Sequence, residues 1–220
     1  MKKRNLFIGL TALVLIGGVS WYLLSGDAPS APSLPERASG TTGVVSADGV
    51  WRVADGSFVG YRVAERFIGE IIYKDAVGRT SDVSGGFKVA GTEVSNIVIE
   101  ADTTTIASDR VPRDTYLASN ALETALFPTA TFVVTDPIRL NAKPVLGQTI
   151  RLTLEGMLTL HGQTRLLAMP VEARWNGATI DIVGTAPITL ADYGINTPST
   201  PIVSASGTGS LEIQLILRSL

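Results

Sequence analysis

The chain has 220 residues, of which 45% are hydrophobic and 17% charged, with one histidine and no cysteine. This content leaves no material for a metal site built from histidine and cysteine or for a Cys–His catalytic dyad. The formal net charge is -2, and without Lys2, Lys3 and Arg4 the basic side chains fall from 18 to 15 against 20 acidic ones, which gives no electrostatic reason to bind nucleic acid.

Residues 1–26 are predicted to be a transmembrane anchor or a signal segment. An apolar run from Leu6 to Leu24 follows the three basic residues, and it is long enough to cross a hydrocarbon core of about 30 Å. The run exceeds the apolar region of about 7 to 15 residues found in cleaved signal peptides. It ends in Trp21-Tyr22, which is typical of an interfacial anchor. An uncleaved anchor is therefore favoured, with the rest of the chain outside the cytoplasm.

Residues 27–49 are rich in Pro, Ser, Ala, Gly and Thr and are predicted to be a flexible linker. Residues 50–220 are predicted to form one domain. The abundance of Val, Ile, Leu and Thr in this part favours strands over helices.

The domain begins with strands in which apolar side chains alternate with polar ones. Tyr61, Val63, Glu65 and Phe67 share one face of the first strand. Residues 84–101 predict a hairpin whose two strands direct apolar side chains to the same side. These strands belong to one core.

Residues 113–126 interrupt the alternation. Apolar residues recur there at spacings of three and four, which predicts a short amphipathic helix that ends at Phe127-Pro128. Arg113 and Asp114 at its start could clamp a polar headgroup, but an acidic residue in a first helical turn also stabilises the helix dipole. The structural role is favoured.

The second half returns to strands, and residues 151–161 alternate most strictly. His161-Gly162 predicts a tight turn into the next strand, and Asn176-Gly177 predicts another that requires positive φ. His161 could bond a ligand headgroup, although a bond to nearby backbone is favoured. About eight or nine strands joined by short turns predict an antiparallel sheet closed into a barrel. Such a barrel either fills with side chains or holds one small ligand.

Several segments together resemble the YceI-like family of exported polyisoprenoid-binding proteins. They are residues 113–119, the Phe-Pro-Thr-Ala-Thr-Phe segment at 127–132, the hairpin segment at 156–164 and Asp-Tyr-Gly-Ile at 192–195. The resemblance runs from about Trp51 to the C-terminus and implies a lipocalin-like antiparallel barrel of about eight strands with one short helix. It implies an apolar interior that holds an isoprenoid chain, such as a quinone or a polyprenyl lipid. It implies no cofactor.

Family members often carry a histidine where this chain has Glu65, so a polar contact near the barrel mouth is expected to differ here. No metal is predicted, because Asp102, Asp109 and Asp114 lack the spacing of a calcium loop. The side chains expected to contact the ligand point into the barrel: Tyr61, Val63, Phe67, Phe87, Ile99, Phe132, Val134, Leu158, Leu160, Met169 and Ile188, with Tyr193 at the mouth.

The resulting hypothesis is a carrier or sequestering protein for an isoprenoid lipid at the outer face of the cytoplasmic membrane. If the N-terminal segment is cleaved, the protein is secreted instead. Two alternatives remain at this stage: an enzyme acting on a lipid or quinone, for which the sequence offers no nucleophile–base pair, and a ligand-free envelope-stress module. No catalytic residue is predicted, and a homodimer is left open.

Overall fold

A computed structural model describes residues 28–36, 46–69, 71–199 and 202–220. The predicted N-terminal anchor, and residues 27 and 37–45 of the predicted linker, lie outside these ranges. Within the ranges, no helix has both the length and the apolar character needed to cross a membrane.

The domain is a β-sheet with one short helix. Its strands are β1 (Gly49–Val53), β2 (Phe58–Phe67), β3 (Lys74–Thr80), β4 (Val83–Ala90), β5 (Glu93–Asp102), β6 (Ala107–Ser108), β7 (Thr129–Val134), β8 (Ile138–Arg139), β9 (Thr149–Leu160), β10 (Gln163–Trp175), β11 (Thr179–Thr189) and β12 (Val203–Ser219). The helix, α1, spans Val111–Tyr116.

These twelve segments make eight long strands, because the first eight join in consecutive pairs. β1 and β2 form the first long strand, and β3 and β4 form the second. The two long strands are antiparallel, because β1 pairs with β4 and β2 pairs with β3 in nearly the same register. β5 and β6 form the third long strand, in which β5 pairs with β4 and β6 pairs with β3. β7 and β8 form the fourth, and both pair with β5. Each long strand then pairs with its neighbour in sequence. This confirms the antiparallel barrel of about eight strands.

The barrel closes where the last strand meets the first. Val53 pairs with Leu217 of β12, and farther along β12 pairs with β2. Leu217 is fully buried, at 0% exposure, between these strands and β11. Closure at this seam pairs backbone groups of the first and last strands that would otherwise be open to other chains.

The first long strand bends between β1 and β2, and Ser57 keeps the backbone paired there. The buried Ser57 hydroxyl donates to the Ala54 carbonyl at 2.7 Å and accepts from the Ile216 N–H at 2.9 Å. The Ala54 N–H donates to the Ile216 carbonyl at 2.8 Å. The Ser57 side chain therefore replaces the backbone hydrogen bonds between strands that are interrupted at the bend.

The helix differs in extent from the prediction of residues 113–126. It begins at Val111, with Pro112 in its first turn, and continues as a π-helical turn over Leu117–Ala121. It ends early because Glu123 adopts a left-handed backbone conformation, with φ +46°. The prediction of helix beyond Ala121, which rested on the spacing of the apolar residues, is therefore wrong.

The predicted turns are present with different geometries. His161 and Gly162 both have positive φ, at +49° and +69°, as a two-residue hairpin turn requires. At the Asn176-Gly177 turn only Gly177 has positive φ, at +86°. The end of the barrel that carries α1 and the His161-Gly162 turn is called the helix end. The opposite end, with the loop 140–149 and the Asn176-Gly177 turn, is called the turn end.

Residues 28–36, called the strap, lie along the outside of the barrel. Arg62 donates to the Pro29 carbonyl at 2.6 Å, and Arg174, near the turn end, donates to the Pro35 carbonyl. Beneath the strap Glu212 is only 1% exposed and bonds to Arg62 at 2.6 Å. This part of the predicted linker is thus in contact with the barrel, while the flexibility of 27–49 as a whole stays a prediction.

Leu217→Ala should lower the free energy of unfolding by about 2 to 5 kcal/mol, because it leaves a cavity at the closure of the barrel. Leu220→Ala, three residues along and 87% exposed, should change that free energy by no more than about 0.5 kcal/mol. Urea denaturation followed by circular dichroism measures both. Equal effects of the two substitutions would contradict the closure described here.

Candidate functional site

The barrel interior contains an apolar cavity of about 150 Å³. Thr131 and Arg174 are the two polar residues among the described side chains that line it. A water molecule held in a cavity needs two or more polar partners, so this lining suits apolar atoms better than ordered water. The apolar lining includes Val59, Phe87, Val89, Ile97, Ile99, Phe132, Ile138, Ile150, Leu152, Leu154, Leu158, Leu167, Met169, Val171, Ala173, Trp175, Ile182 and Ile213.

The cavity lies in the half of the barrel toward the turn end. Leu152 and Leu154 of β9 and Ala173 of β10 direct their side chains inward, yet they are only partly buried. Loop residues Leu140 and Pro144 contribute to the lining at this end. Inward side chains that keep some exposure indicate that the cavity opens to the outside here.

A gap in the wall coincides with this opening. β7 and β9 pair only through residues 131–133 and 157–159, whereas β9 pairs with β10 along almost its entire length. Within the described residues, Ile150, Leu152 and Leu154 have no paired strand on the β7 side. The loop 140–149 covers this side instead of a hydrogen-bonded strand.

The half of the interior toward the helix end is filled with side chains. Leu160, Ile188 and Tyr193 are all buried in the apolar core there. Phe132 lies at the boundary between the two halves, and its ring occupies the space in front of Gly156, where a β-carbon would come within 2.6 Å of the ring. The glycine therefore makes room for a side chain at this position.

The structure divides the twelve predicted contact residues into two groups. Those that line the cavity are Phe87, Ile99, Phe132, Leu158 and Met169. Those that do not are Tyr61, Val63, Phe67, Val134, Leu160, Ile188 and Tyr193. Val63 and Val134 pack in the core, and Phe67 lies under the Arg110 guanidinium, 5.1 Å from its ring centre. The role of all twelve in binding stays a prediction.

Sequence reasoning did not single out part of the cavity lining. Leu152 and Leu154 line the cavity, and the strict alternation of β9 predicts that they point inward. The same alternation does not distinguish residues that line a cavity from residues packed in the core. Ile138, Leu140 and Pro144 lie in or next to a loop without alternation, so the sequence carried no signal for them.

An ion pair closes the helix end of the barrel. Arg113 of α1 contacts both carboxylate oxygens of the buried Glu65 through two of its nitrogens. It also donates to Ser108 at 3.1 Å and bonds to Asp109. Burial disfavours charge on Arg113, but the bonds to Glu65 outweigh it and raise the pKa of the guanidinium. Arg113 thus serves a structural role at Glu65, the position where a different polar contact was expected.

Tyr61 lies near this pair with a buried hydroxyl that has no hydrogen-bond partner among the described residues. Its ring lies over Gly78, where a β-carbon would come within 2.4 Å of it. Burial raises the pKa of Tyr61 to about 12, and the nearby Arg113 charge acts in the opposite direction.

His161 has an oxygen atom within hydrogen-bond distance of each ring nitrogen. Its Nδ1 lies 2.9 Å from the Tyr193 carbonyl, and its Nε2 lies 2.9 Å from a Glu123 carboxylate oxygen. The edge of Phe127 packs against the ring, with 4.7 Å between the ring centres. The favoured bond to backbone is confirmed. The described residues hold no group of three or more His, Asp or Glu side chains placed to bind a metal ion.

Comparison with known proteins identifies relatives of this chain. A family model described as the YceI-like domain matches residues 53–217. A UPF0312 protein of Vibrio cholerae is 28% identical over 152 residues, which cover 65% of this chain and 74% of the relative. A UPF0312 protein of Shewanella denitrificans is 28% identical over 157 residues, which cover 67% of this chain and 76% of the relative.

Two solved structures share the fold. A polyisoprenoid binding domain from Saccharophagus degradans, implicated in plant cell wall breakdown, aligns with a TM-score of 0.62 at 18% identity, over 78% of this chain and 99% of that domain. BcnA of Burkholderia cenocepacia aligns with a TM-score of 0.51 at 19% identity, over 71% of this chain and 95% of that protein.

Arg113→Ala should lower the free energy of unfolding by about 3 kcal/mol, because it leaves the buried Glu65 carboxylate without its partner. Arg139→Ala removes an exposed ion pair, 3.4 Å from Glu93, and should cost less than about 1 kcal/mol. Urea denaturation at neutral pH compares the two variants. Similar losses in both would show that the Glu65 pair is no more important than a surface contact.

Tyr61→Phe should raise the free energy of unfolding by about 1 kcal/mol, because it removes a buried hydroxyl without a partner. The native pKa of Tyr61, about 12, lies above the ordinary value of about 10. The native state therefore binds the phenol proton more tightly, and wild-type stability should fall between about pH 10 and pH 12. Tyr61→Phe should lose less free energy of unfolding than the wild type over that pH range. Denaturation at several pH values tests this, with Tyr73→Phe, half exposed, as the control.

Proposed function

This chain belongs to the YceI-like domain family, and we propose that it binds an isoprenoid lipid, either a polyprenyl chain or a quinone, in the cavity of its barrel. The observation that carries the proposal is the almost entirely apolar lining of that cavity. A ligand held there contacts hydrocarbon on almost every side, with Thr131 and Arg174 as the polar exceptions, which suits an apolar chain without charged groups. The Saccharophagus degradans domain with the same fold is itself a polyisoprenoid binding domain, and this supports the choice of ligand.

Apolar burial supplies enough free energy for such binding. Each methylene group removed from water contributes about 0.8 kcal/mol, and about 1.4 kcal/mol changes an affinity tenfold. The cavity of about 150 Å³ is the size that holds one benzene molecule, so it takes about one isoprene unit, and further units that lie along the opening beside Leu152 and Leu154 add to the affinity without an ion pair. Affinity depends on the length of chain that is buried, and the cavity offers little to select among headgroups.

We place the entrance at the gap beside the first half of β9. The wall there consists of the loop 140–149, and the inward residues Leu152 and Leu154 keep partial exposure. A chain that enters at this point meets the cavity directly. At the opposite end its path is blocked by the buried core around Leu160 and Tyr193.

The proposed role is carriage or sequestration at the outer face of the cytoplasmic membrane. The apolar run from Leu6 to Leu24, preceded by basic residues, supports an anchor with the barrel outside the cytoplasm. Binding is favoured over catalysis, because both ring nitrogens of His161 are engaged by Tyr193 and Glu123 and this residue does not line the cavity.

Leu158→Asp should abolish lipid binding, because it introduces a charge into the cavity lining. Met157→Asp is the matched control, since Met157 is the neighbour in the same strand and is exposed on the outer face. The full chain is purified under native conditions from bacterial membranes, and its organic extract is analysed by mass spectrometry. An isoprenoid at stoichiometric level in the wild type and the control, but not in Leu158→Asp, is the expected result.

Ala173→Phe is a second, uncharged test of the cavity in case Leu158→Asp does not fold. It fills cavity space that could hold at least two methylene groups, so it should weaken uptake of an added quinone or polyprenyl lipid by roughly tenfold. Near-ultraviolet circular dichroism should remain as in the wild type. A wild-type chain that carries no isoprenoid and takes up none would instead favour a ligand-free barrel.

A further inference from the structure

We propose that the helix end of the barrel inserts a hydrophobic tip into the surface of a lipid bilayer. The tip consists of Ile68, Ile71, Ile72 and Tyr73 in the loop between β2 and β3, together with Ile202 before β12. This contact is separate from lipid binding in the cavity. One part of the argument, the length of the tether, rests on the membrane anchor proposed above.

The side chains of the tip are unusually exposed for their type. Ile71 is 92% exposed, and Ile68, Ile72 and Ile202 are each at least 65% exposed. They lie together, because the Ile68 N–H donates to the Ile202 carbonyl at 2.8 Å. Single exposed apolar residues are ordinary, but a cluster of large aliphatic side chains at one end of a domain marks an interaction surface.

The chemistry around the tip favours a lipid surface as the partner. Tyr73 is half exposed next to the isoleucines, and the Arg66 guanidinium lies 5.1 Å from the centre of its ring. Lys74 follows at the start of β3 and is also exposed. Aliphatic side chains at the point, an aromatic ring beside them and cations behind them are the arrangement found in segments that rest in the interface of an anionic membrane. Glu70, the one acidic residue of the loop sequence, lies outside the described residues.

The course of the strap supports the same orientation, because it shows the direction in which residues 28–36 run along the barrel. Pro29 bonds to Arg62, and the strap runs from there toward Arg174 at the turn end, so its N-terminal side is directed to the helix end. Five residue steps separate Pro29 from Leu24, the end of the apolar run, and they span at most about 17 Å when extended.

The tip lies at a similar distance from the same point. Six residue steps along β2 separate Arg62 from Ile68, which corresponds to about 20 Å along a strand. An anchor that ends at Leu24 therefore cannot hold the barrel far from the bilayer. It holds the helix end, and not the turn end, against the membrane surface.

Single-cysteine labelling tests the proposal, because the chain has no cysteine of its own. Ile71→Cys places an environment-sensitive fluorophore on the tip, and Leu146→Cys places it on an exposed apolar residue at the turn end. Each full-length variant is reconstituted with vesicles of phosphatidylethanolamine and phosphatidylglycerol that contain a phospholipid-linked quencher. The label on Ile71→Cys should be quenched at least about twice as strongly as the label on Leu146→Cys.

Other outcomes overturn the proposal in distinguishable ways. Vesicle association with equally weak quenching at both positions would leave the anchor intact and exclude insertion of the tip. A chain that remains free of the vesicles would exclude both. Shielding of the Ile71→Cys label that depends on protein concentration and not on vesicles would assign the tip to contact with a second copy. Strong quenching at the tip in a chain whose extract contains no isoprenoid would support the tip and contradict the cavity proposal alone.

Discussion

Closure of the sheet on itself is the constraint on which the rest of the molecule depends. The first long strand has to pair with the last and also curve around the barrel, and the bend at Ser57 makes both possible. Its hydroxyl bonds to Ala54 and Ile216, so the backbone groups at the bend keep partners although the regular ladder stops. With the ring closed, every inward side chain from eight strands is directed at the same interior. The character of that interior then follows from which side chains fill it.

The two halves of the interior are closed by different physical means. Toward the helix end, bulky residues such as Leu160 and Tyr193 fill the space, and the Glu65–Arg113 pair covers them. Toward the turn end, the wall lacks a paired strand beside β9, and a loop stands in its place. Close packing thus fills the interior at one end, whereas incomplete packing at the other leaves room for a ligand. A ligand chain held in the open half has no charged partner deep in the barrel.

The sequence predicted the barrel because inward and outward residues alternate with the period of a strand. β9 is the clearest case, and its register in the structure agrees with that alternation. The same parity could not separate cavity from core: Leu154 and Leu160 are equivalent in the pattern, yet the first lines the cavity and the second is packed. That difference depends on the missing strand partner and on Phe132 crossing in front of Gly156. The early end of the helix depends on Glu123, whose carboxylate meets a histidine 38 residues away in sequence.

The position of the strap bears both on the proposed orientation of the barrel at the membrane and on how its ligand would be exchanged. It crosses the barrel from Arg62 toward Arg174, and Glu212 beneath it is buried on an outer face that would otherwise be in water. A carboxylate removed from water in this way needs its arginine partners, so the strap and the ion pairs under it stabilise one another. If the helix end rests on the bilayer, the gap beside β9 opens at the far end of the barrel. A lipid chain in the cavity then lies away from the membrane surface, and its exchange with the bilayer requires release into the aqueous phase or transfer to another protein. In that arrangement the geometry suits a protein that sequesters its ligand or passes it to a partner more than one that exchanges lipid directly with the membrane.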